Sequence, residues 1–546
     1  MPCVFLPLVP RPSSLAPAAI RLCHQWAYWY DTGMTVGVCP SWPRSWRNLA
    51  LLLLMLGVAW RALRYSLQFP IWGDEAFVCL NLLDRDYLGL TRPLRFLQVA
   101  PILFLWSELA AYRVLGGSEM ALRLLPFLAG LGSLLLFWRL VRMTLSPVPG
   151  AIAVGFLAVA YYPVRHSCEV KPYAFDLFFS LALLVAAVTW LQQPERRRWL
   201  VGLVLIVPFA LGLSYPGVFV AGAVSVALLP SVWRLRDGKT WALYVAYNGL
   251  MLASFLGVYL LAGTNQYASA GGNENFYWTD WFPPPHPLPL VKWLVLAHTG
   301  NMMAYPTGSR DGGSALTFLL FLAGVWHFGR LRRWDLLALL LVPFALTFVA
   351  AALHRYPYGG SARVAQYLAP AICFLAGTGA AICLAWAARW LGDERRLAVA
   401  ACGLLAVVGV AGMARDWNKP YKTEGDAKVR QIVSEITQKA GPDDQIAVLD
   451  VTTYICPPFE WYLRRQGDRV QWNVDVDWER LCQHGELWGI SFSRDGSARA
   501  AFERRLIRSA RPMLLVEHES LDLQLGQGDE TLEHCEVFRW QGMYGE

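Results

Sequence analysis

The sequence predicts a polytopic α-helical membrane protein of about eleven spans, followed by a small α/β domain. Three observations carry that expectation. Of 546 residues, 55% are hydrophobic and only 16% charged, against about 25% charge in soluble domains. Apolar runs of roughly 20 residues recur along the chain, the length that matches a bilayer's hydrocarbon core. Charge is also divided unevenly. Residues 1–415 hold 32 Lys and Arg against 17 Asp and Glu, whereas residues 416–546 hold 16 against 23. The basic excess sits in short blocks between apolar runs, so it points to membrane topology and not to a nucleic-acid partner.

Residues 1–46 read as a leader, disordered or preceding the true start. They contain prolines, tryptophans and Cys3, Cys23 and Cys39, with no continuous apolar core. That is not a signal peptide, and Met34 is the expected initiator. Residues 47–415 form the transmembrane part. Its spans fall at about 47–66, 119–140, 150–164, 172–191, 199–213, 216–233, 241–262, 315–329, 335–353, 365–388 and 397–414. The basic clusters support the count. Arg44 and Arg47, Arg139 and Arg142, Arg196 to Arg198, Arg234 with Arg236 and Lys239, Arg330 with Arg332 and Arg333, and Arg389 with Arg395 and Arg396 occupy every second loop. Such alternation is the positive-inside pattern, and it puts the remaining loops and the tail on the outer face.

The segment Arg92–Gly116 is apolar enough to cross, but counting it would reverse every later loop. It reads as a helix lying at the interface, with Arg92, Arg95, Glu108 and Arg113 facing water or headgroups. The first outer loop is then 67–118. A second, 263–314, contains NQYASAGGNENFYWTDWFPPPHP. Its length suggests function, and its aromatics suit a carbohydrate surface or membrane anchoring. The tail, 416–546, reads as a soluble α/β domain: helix in DAKVRQIVSEITQKA, strand in GPDDQIAVLDV, helix in FEWYLRRQG, strands in RPMLLVEH and CEVFRW. Eleven cysteines include no CxxC pair, so no zinc site is expected. Cys373, Cys383 and Cys402 read as small core residues. Cys456, Cys482 and Cys535 leave room for one disulfide in the tail.

Ionisable groups beside a membrane are costly and suggest function. Four clusters stand out on the expected outer side. In FPIWGDEAFVCLN, Asp74 and Glu75 follow the first span; they suit a helix start or a general base. RHSCEVKPYAFD packs Arg165, His166, Glu169, Lys171, Tyr173 and Asp176 between two spans. These residues form either an interfacial ion-pair cluster or a cavity wall with cations toward phosphate. HRYPYGGSARVAQYLAP sets Arg355 and Arg363 around a Gly-rich turn, and Arg suits a lipid phosphate as well as a headgroup. In GGSEMALRLLP, Arg123 enters a span and Glu119, four residues earlier, is its expected partner.

Taken in order, these stretches resemble the GT-C membrane glycosyltransferases that use lipid-phosphate sugar donors. That group includes the protein O-mannosyltransferases and the lipid A aminoarabinose transferases. WGDEAF is similar to the family's Asp-Glu motif, and APILFLWSELAAYRVLGGSEMALRLLP to its Pro-Pro-Leu-Tyr run with a Gly-x-Ser-Glu turn. SCEVKPYAFD resembles its Glu-x-Arg-Pro-Tyr stretch, and YPYGGSARVAQYLAP its late Arg-x-x-x-Tyr-Leu segment. The resemblance covers about 47–414. It implies an inverting transfer of a sugar from a polyprenyl or dolichyl phosphate to an acceptor on the outer face. Asp74 would be the catalytic base, with Glu75 its support. Lys171 and Arg363 would lie near the donor phosphate with Arg165, while Glu169, Tyr173 and Arg123 support the site. Many relatives have His before Pro-Pro; here Ala100, Pro101 and Ile102 stand instead, so that ligand is absent. No cofactor and no metal site are expected. The partners implied are a polyprenyl-phosphate-linked sugar, membrane lipids and an acceptor that is a glycan, lipid or protein. The alternative is a transporter or flippase of a lipid-linked saccharide. That reading calls for polar groups near the midplane, whereas these cluster at one face. In a bacterium the location would be the cytoplasmic membrane.

Overall fold

The structure is a computed structural model. It describes residues 42–269, 276–308 and 312–441 and, in the tail, 444–449, 457–465, 470–472, 486–491, 500, 503–504, 513–524 and 532–542. Met34 and the rest of the leader up to residue 41, residues 270–275 of the second long loop, Cys456 and Cys482 lie outside the described residues.

All eleven expected segments are helical: Arg44–Ser66, Glu119–Thr144, Pro147–Ala158, Tyr173–Gln192, Arg198–Leu213, Gly217–Leu235, Gly238–Val258, Gly313–Arg330, Trp334–Ala352, Ala369–Leu391 and Glu394–Asn418. Eight of the described helices are long and apolar enough to cross a membrane. Several starts are written by a capping side chain that satisfies an orphan N–H of the first turn. Ser118 accepts from Ala121 N at 3.1 Å, Asp237 from Thr240 N at 2.9 Å and Asp393 from Arg395 N at 2.8 Å. Short turns at 145–146, 193–197, 236–237, 331–333 and 392–393 join successive helices beside the basic clusters.

The bundle has an inside and an outside. Tyr173–Gln192 is 83% buried over its apolar window, whereas the helix running from Gly238 is 11% buried, so the first is central and the second peripheral. The predicted span 150–164 is in fact two helices, Pro147–Ala158 and Tyr161–His166. Twelve residues reach only about 18 Å, short of the roughly 30 Å apolar layer. The shortfall is met by protein: Gly150 to Ala158 are all buried. Helices Gly313–Arg330 and Ala369–Leu391 approach closely at Gly379, where a Cβ would stand 1.8 Å from the Leu320 carbonyl oxygen. Small residues allow this approach between membrane helices. A buried ion pair, Arg64–Asp416 at 2.6 Å, ties the first span to the last, and Trp60 Nε1 donates to the same carboxylate at 2.7 Å. Cys373 and Cys402 are buried, but Cys383 is exposed on the bundle surface.

The tail forms a five-stranded mixed sheet of β1 (Gln445–Leu449), β2 (Val470–Trp472), β3 (Glu486–Ser491), β4 (Met513–Gln524) and β5 (Leu532–Gly542), in the order β2-β1-β3-β5-β4. β1 runs parallel to β2 and β3, and β5 runs antiparallel to β3 and β4. β2 and β3 were not legible as strands. Helices Glu424–Lys439 and Pro457–Arg464 are present, and Thr423 and Asp426 form a capping box at the first. One apolar cluster runs from Ile71, Val78 and Phe104 of the first loop through Val429 and Ile432 to Phe459, Trp461 and Trp488 of the tail. Around it, Asp84 pairs with Arg95 at 2.9 Å and with Arg464, and Tyr462 donates to Glu119 at 2.9 Å.

Only part of Arg92–Gly116 is α-helical, Ile102–Leu115. Arg92 and Arg113 are exposed and Arg95 is half-buried. Glu108 contradicts the expectation: it is fully buried, and neither carboxyl oxygen has a hydrogen-bond partner among the described residues. The neighbouring helices pack on this segment, so the carboxyl does not meet water. Burial first, then the charge of Glu75, pushes the Glu108 carboxyl well above its ordinary range. The folded protein therefore keeps this proton at a pH where the unfolded chain releases it. The stability that Glu108 contributes is fully present at low pH and is lost as pH rises past the ordinary carboxyl range toward the folded pKa. Glu108→Gln is expected to remove that dependence. Thermal unfolding of both proteins across pH 5 to 9 checks it; parallel curves would sink the idea.

Candidate active site

Asp74 and Glu75 lie in the first turn of the helix Gly73–Asp84. Consecutive helical side chains diverge by about 100°, so the pair cannot share one surroundings. The Asp74 side chain is 17% exposed, while Glu75 is fully buried. Asp74 meets two cations. Its Oδ1 lies 3.1 Å from Lys171 Nζ and its Oδ2 2.9 Å from Arg363 Nη1. Lys171 also donates to Gln98 Oε1 at 2.7 Å. The Lys171 side chain is 6% exposed and that of Arg363 is 36% exposed, so an incoming molecule reaches Asp74 and Arg363 first. Burial pushes the Asp74 carboxyl up, but Lys171 and Arg363 together more than offset this and hold it below the ordinary range.

The Arg363 position is built by its turn. Gly359 and Gly360 have φ of +74° and +67°, the region where Gly carries no Cβ penalty. A Cβ on Gly360 would stand 2.0 Å from the Trp281 ring. Tyr358 N donates to Trp281 O at 3.0 Å, and Tyr356 Oη donates to Val364 O at 2.9 Å. The second long loop thus packs on the turn that presents Arg363.

Glu75, expected to support Asp74, is enclosed and engaged elsewhere. Arg123 Nε donates to Glu75 Oε1 at 2.8 Å, and Val170 N donates to the same oxygen at 2.8 Å. Arg123 also donates to the carbonyls of Phe69 and, at 3.3 Å, Pro70. The expected Glu119–Arg123 pair is therefore not formed. Glu119 instead takes the Tyr462 hydroxyl and lies 3.8 Å from Arg430 of the tail. Arg123 and Glu75 together staple the first-turn helix to the stretch before Lys171.

Arg165 pairs with Glu169 at 2.6 Å and lies over the Trp72 ring, 5.4 Å from its centroid. Burial pushes Glu169 up, but Arg165, with His166 and Lys422, draws it well below the ordinary range. Tyr173 is half-buried and packs on His166 at 5.0 Å between rings. Burial lowers Arg363, but Tyr173, then Asp74 and Glu169, raise it above its ordinary value. His166 Nδ1 lies 3.2 Å from Gln366 Oε1. Arg355 is exposed. Among the described residues no group of three or more His, Cys, Asp or Glu is arranged to hold a metal.

Asp74, Lys171 and Arg363 thus meet directly, with Arg165, Glu169 and Tyr173 around them. Sequence reasoning missed Gln98, Gln366 and Lys422. The two glutamines lie beside motifs already singled out, in FLQVAP and RVAQYL. Lys422, in KPYKTEG, follows the last span and carried no signal of its own.

Comparison with known proteins agrees with the resemblance. A family profile described as dolichyl-phosphate-mannose-protein mannosyltransferase matches residues 99–259. Arg123, Arg165, Glu169, Lys171 and Tyr173 fall inside the match; Asp74, Glu75 and Arg363 fall outside it. No curated protein matches the chain. Among solved structures, ArnT from Cupriavidus metallidurans bound to undecaprenyl phosphate is 16% identical with a TM-score of 0.51, covering 90% of this chain and 97% of that one. The same protein in the apo state is 15% identical with a TM-score of 0.47, covering 91% and 98%. The oligosaccharyltransferase of Archaeoglobus fulgidus in the apo form is 12% identical with a TM-score of 0.44, covering 80% and 65%. The fold is that of ArnT: a helical membrane bundle with a small mixed sheet at the C-terminal end.

Proposed function

We propose that this protein is a membrane glycosyltransferase that moves a sugar from a polyprenyl-phosphate donor to an acceptor hydroxyl, at the outer face and with inversion. The observation that carries the reading is the partly exposed Asp74 carboxylate held between Lys171 and Arg363. The family match over residues 99–259 and the ArnT fold support it.

The chemistry needs a base on one side of the anomeric carbon and cations on the other. The acceptor oxygen forms the new bond to that carbon and gives its proton to Asp74. The bond from carbon to phosphate oxygen breaks, and its electron pair leaves with the lipid phosphate. A phosphate leaving group carries its own charge, so no protonating acid is required. A single displacement inverts the anomeric centre.

In the free protein Asp74 is a poor base, because two cations stabilise its ionised form. A donor phosphate competes for the same two cations. Its arrival relieves Asp74 of their field and raises its basicity when the acceptor is to be deprotonated. Lys171 and Arg363 therefore change partners between the free and the donor-bound states.

The expected result is an acid limb of kcat at higher pH than the acid limb of kcat/KM, since the first reports the donor complex and the second the free protein. Steady-state transfer in proteoliposomes between about pH 4 and 8 measures both. Coincident limbs would overturn the exchange of partners. Failure to transfer sugar from any polyprenyl-phosphate donor would overturn the function.

A further inference from the structure

Lys422 lies between the last span and the helix Glu424–Lys439 of the tail. It is half-buried, and its ammonium sits on the face of Trp72, 2.6 Å from the ring centroid. Trp72 caps the helix that carries Asp74, two residues upstream of it. The Arg165 guanidinium lies over the same ring at 5.4 Å. Two cations from distant parts of the chain thus converge on one indole beside the candidate base.

Neither cation is fully used. Lys422 makes no ion pair among the described residues. Arg165 bonds Glu169 through Nε at 2.6 Å, and its two terminal nitrogens have no hydrogen-bond partner among the described residues. The indole itself adds a third donor: Trp72 Nε1 is buried with no acceptor there. Buried donors are nearly always satisfied, so the orphaned Trp72 N–H, beside an ammonium and a guanidinium edge, marks a place for an anion. The ring face partly compensates the desolvated ammonium, which keeps the lysine in place while that anion is absent.

We propose that Lys422, Trp72 and Arg165 form an anion subsite that first receives the phosphate of the polyprenyl-linked donor, with the lysine supplied by the tail. This rests on the glycosyltransferase reading above. The subsite solves a problem that reading leaves open. In the free protein Lys171 and Arg363 are engaged with Asp74, so a phosphate arriving there must first break an ion pair. At Lys422 it meets an ammonium that makes no ion pair among the described residues, with Glu169, Asp74 and Asp426 facing it at longer range. The tail then contributes to donor binding and is not merely carried by the membrane part.

A pH signature follows. The charged groups facing Lys422 are Arg165 and Glu169 before the Tyr173 helix, Asp74 on its own helix and Asp426 in the tail. Burial, then Arg165, pushes the ammonium down to about 7, against the pull of Glu169, Asp74 and Asp426. Anion binding favours the protonated form, so affinity falls as pH rises above about 7.

The test is binding of undecaprenyl phosphate to the full-length protein in phosphatidylcholine nanodiscs, followed by tryptophan fluorescence between pH 6.5 and 9. Wild type, Lys422→Met, Lys422→Arg and Asp74→Asn are compared, each checked for folding by thermal unfolding. Lys422→Met is expected to weaken binding about tenfold or more at pH 6.5, the scale of a lost charge-assisted hydrogen bond. Lys422→Arg keeps the charge at every pH, so it binds at pH 6.5 and loses the wild-type decline at alkaline pH. It also keeps the inference testable if the methionine variant does not fold. The lipid phosphate's own ionisation is common to all four proteins. Asp74→Asn retains binding. Wild-type affinity and pH dependence in both Lys422 variants would overturn this inference and leave the donor reading intact. A wild type that ignores undecaprenyl phosphate would overturn both. An equal Lys422-dependent response to discs of phosphatidylglycerol without polyprenyl lipid would assign the anion to bulk headgroups and overturn the donor assignment.

Discussion

Asp74→Asn is expected to lower sugar transfer by about 10²- to 10⁴-fold, the range in which a positioned general base contributes. The amide keeps the shape of the carboxylate but takes no proton from the acceptor. It also removes the anion that neutralises Lys171 and Arg363 in the free protein. Donor phosphate then meets Lys171 and Arg363 without the Asp74 carboxylate competing for them, so affinity for the lipid phosphate should hold or tighten while turnover collapses. That split separates a base from a structural ion pair, whose loss lowers stability and affects binding and turnover together. Single-turnover transfer in proteoliposomes, with lipid-phosphate binding measured on the same preparation, reads both quantities. Wild-type turnover in the folded variant would falsify the assignment of Asp74 as base.

The second large effect belongs to Glu75, and it is an effect on stability. Glu75→Ala leaves the buried Arg123 guanidinium without its carboxylate and Val170 N without its acceptor. Breaking a buried pair by deleting one partner costs about 3–5 kcal/mol. The variant is expected to unfold at clearly lower temperature and to insert in lower yield. Arg123→Lys should also be damaging, because an ammonium cannot reproduce a fork that serves Glu75 and two backbone carbonyls at once. Glu75→Gln is the discriminating variant. If Glu75 acts only by holding the Asp74 helix against the stretch before Lys171, the loss of activity follows the loss of stability and is recovered at low temperature. Loss of turnover at full stability would return Glu75 to the chemistry. Differential scanning fluorimetry alongside the transfer assay distinguishes the two.

These expectations differ because neighbouring residues in sequence are not neighbours in environment. The motif WGDEAF marks an acid pair at a helix start, and both residues do lie in a first turn. Which acid meets the opening depends on how that helix is rotated against the rest of the protein. Arg123 makes the same point. Local helical geometry offers Glu119 as its partner, but Glu119 is taken by Tyr462 and lies near Arg430, while Arg123 reaches Glu75, 48 residues away. A fully buried guanidinium is better satisfied by a fork-shaped acceptor with backbone carbonyls beside it than by a single carboxylate already engaged by the Tyr462 hydroxyl. Glu108 fails in the opposite direction: it looked like a solvated charge on an amphipathic segment and is enclosed by elements that no local pattern could place.

The sequence by itself determined the helices of the bundle and the polar motifs beside them. Hydrocarbon thickness, apolar run length and the spacing of basic clusters are local and additive along the chain. It also singled out Asp74, Lys171 and Arg363. Only the tertiary structure decided that these three touch, that Glu75 faces inward, and that Lys422 arrives from the tail to share Trp72 with Arg165. Contacts between residues hundreds of positions apart depend on packing of whole elements, and their distances are set by rotations and offsets that no single segment encodes.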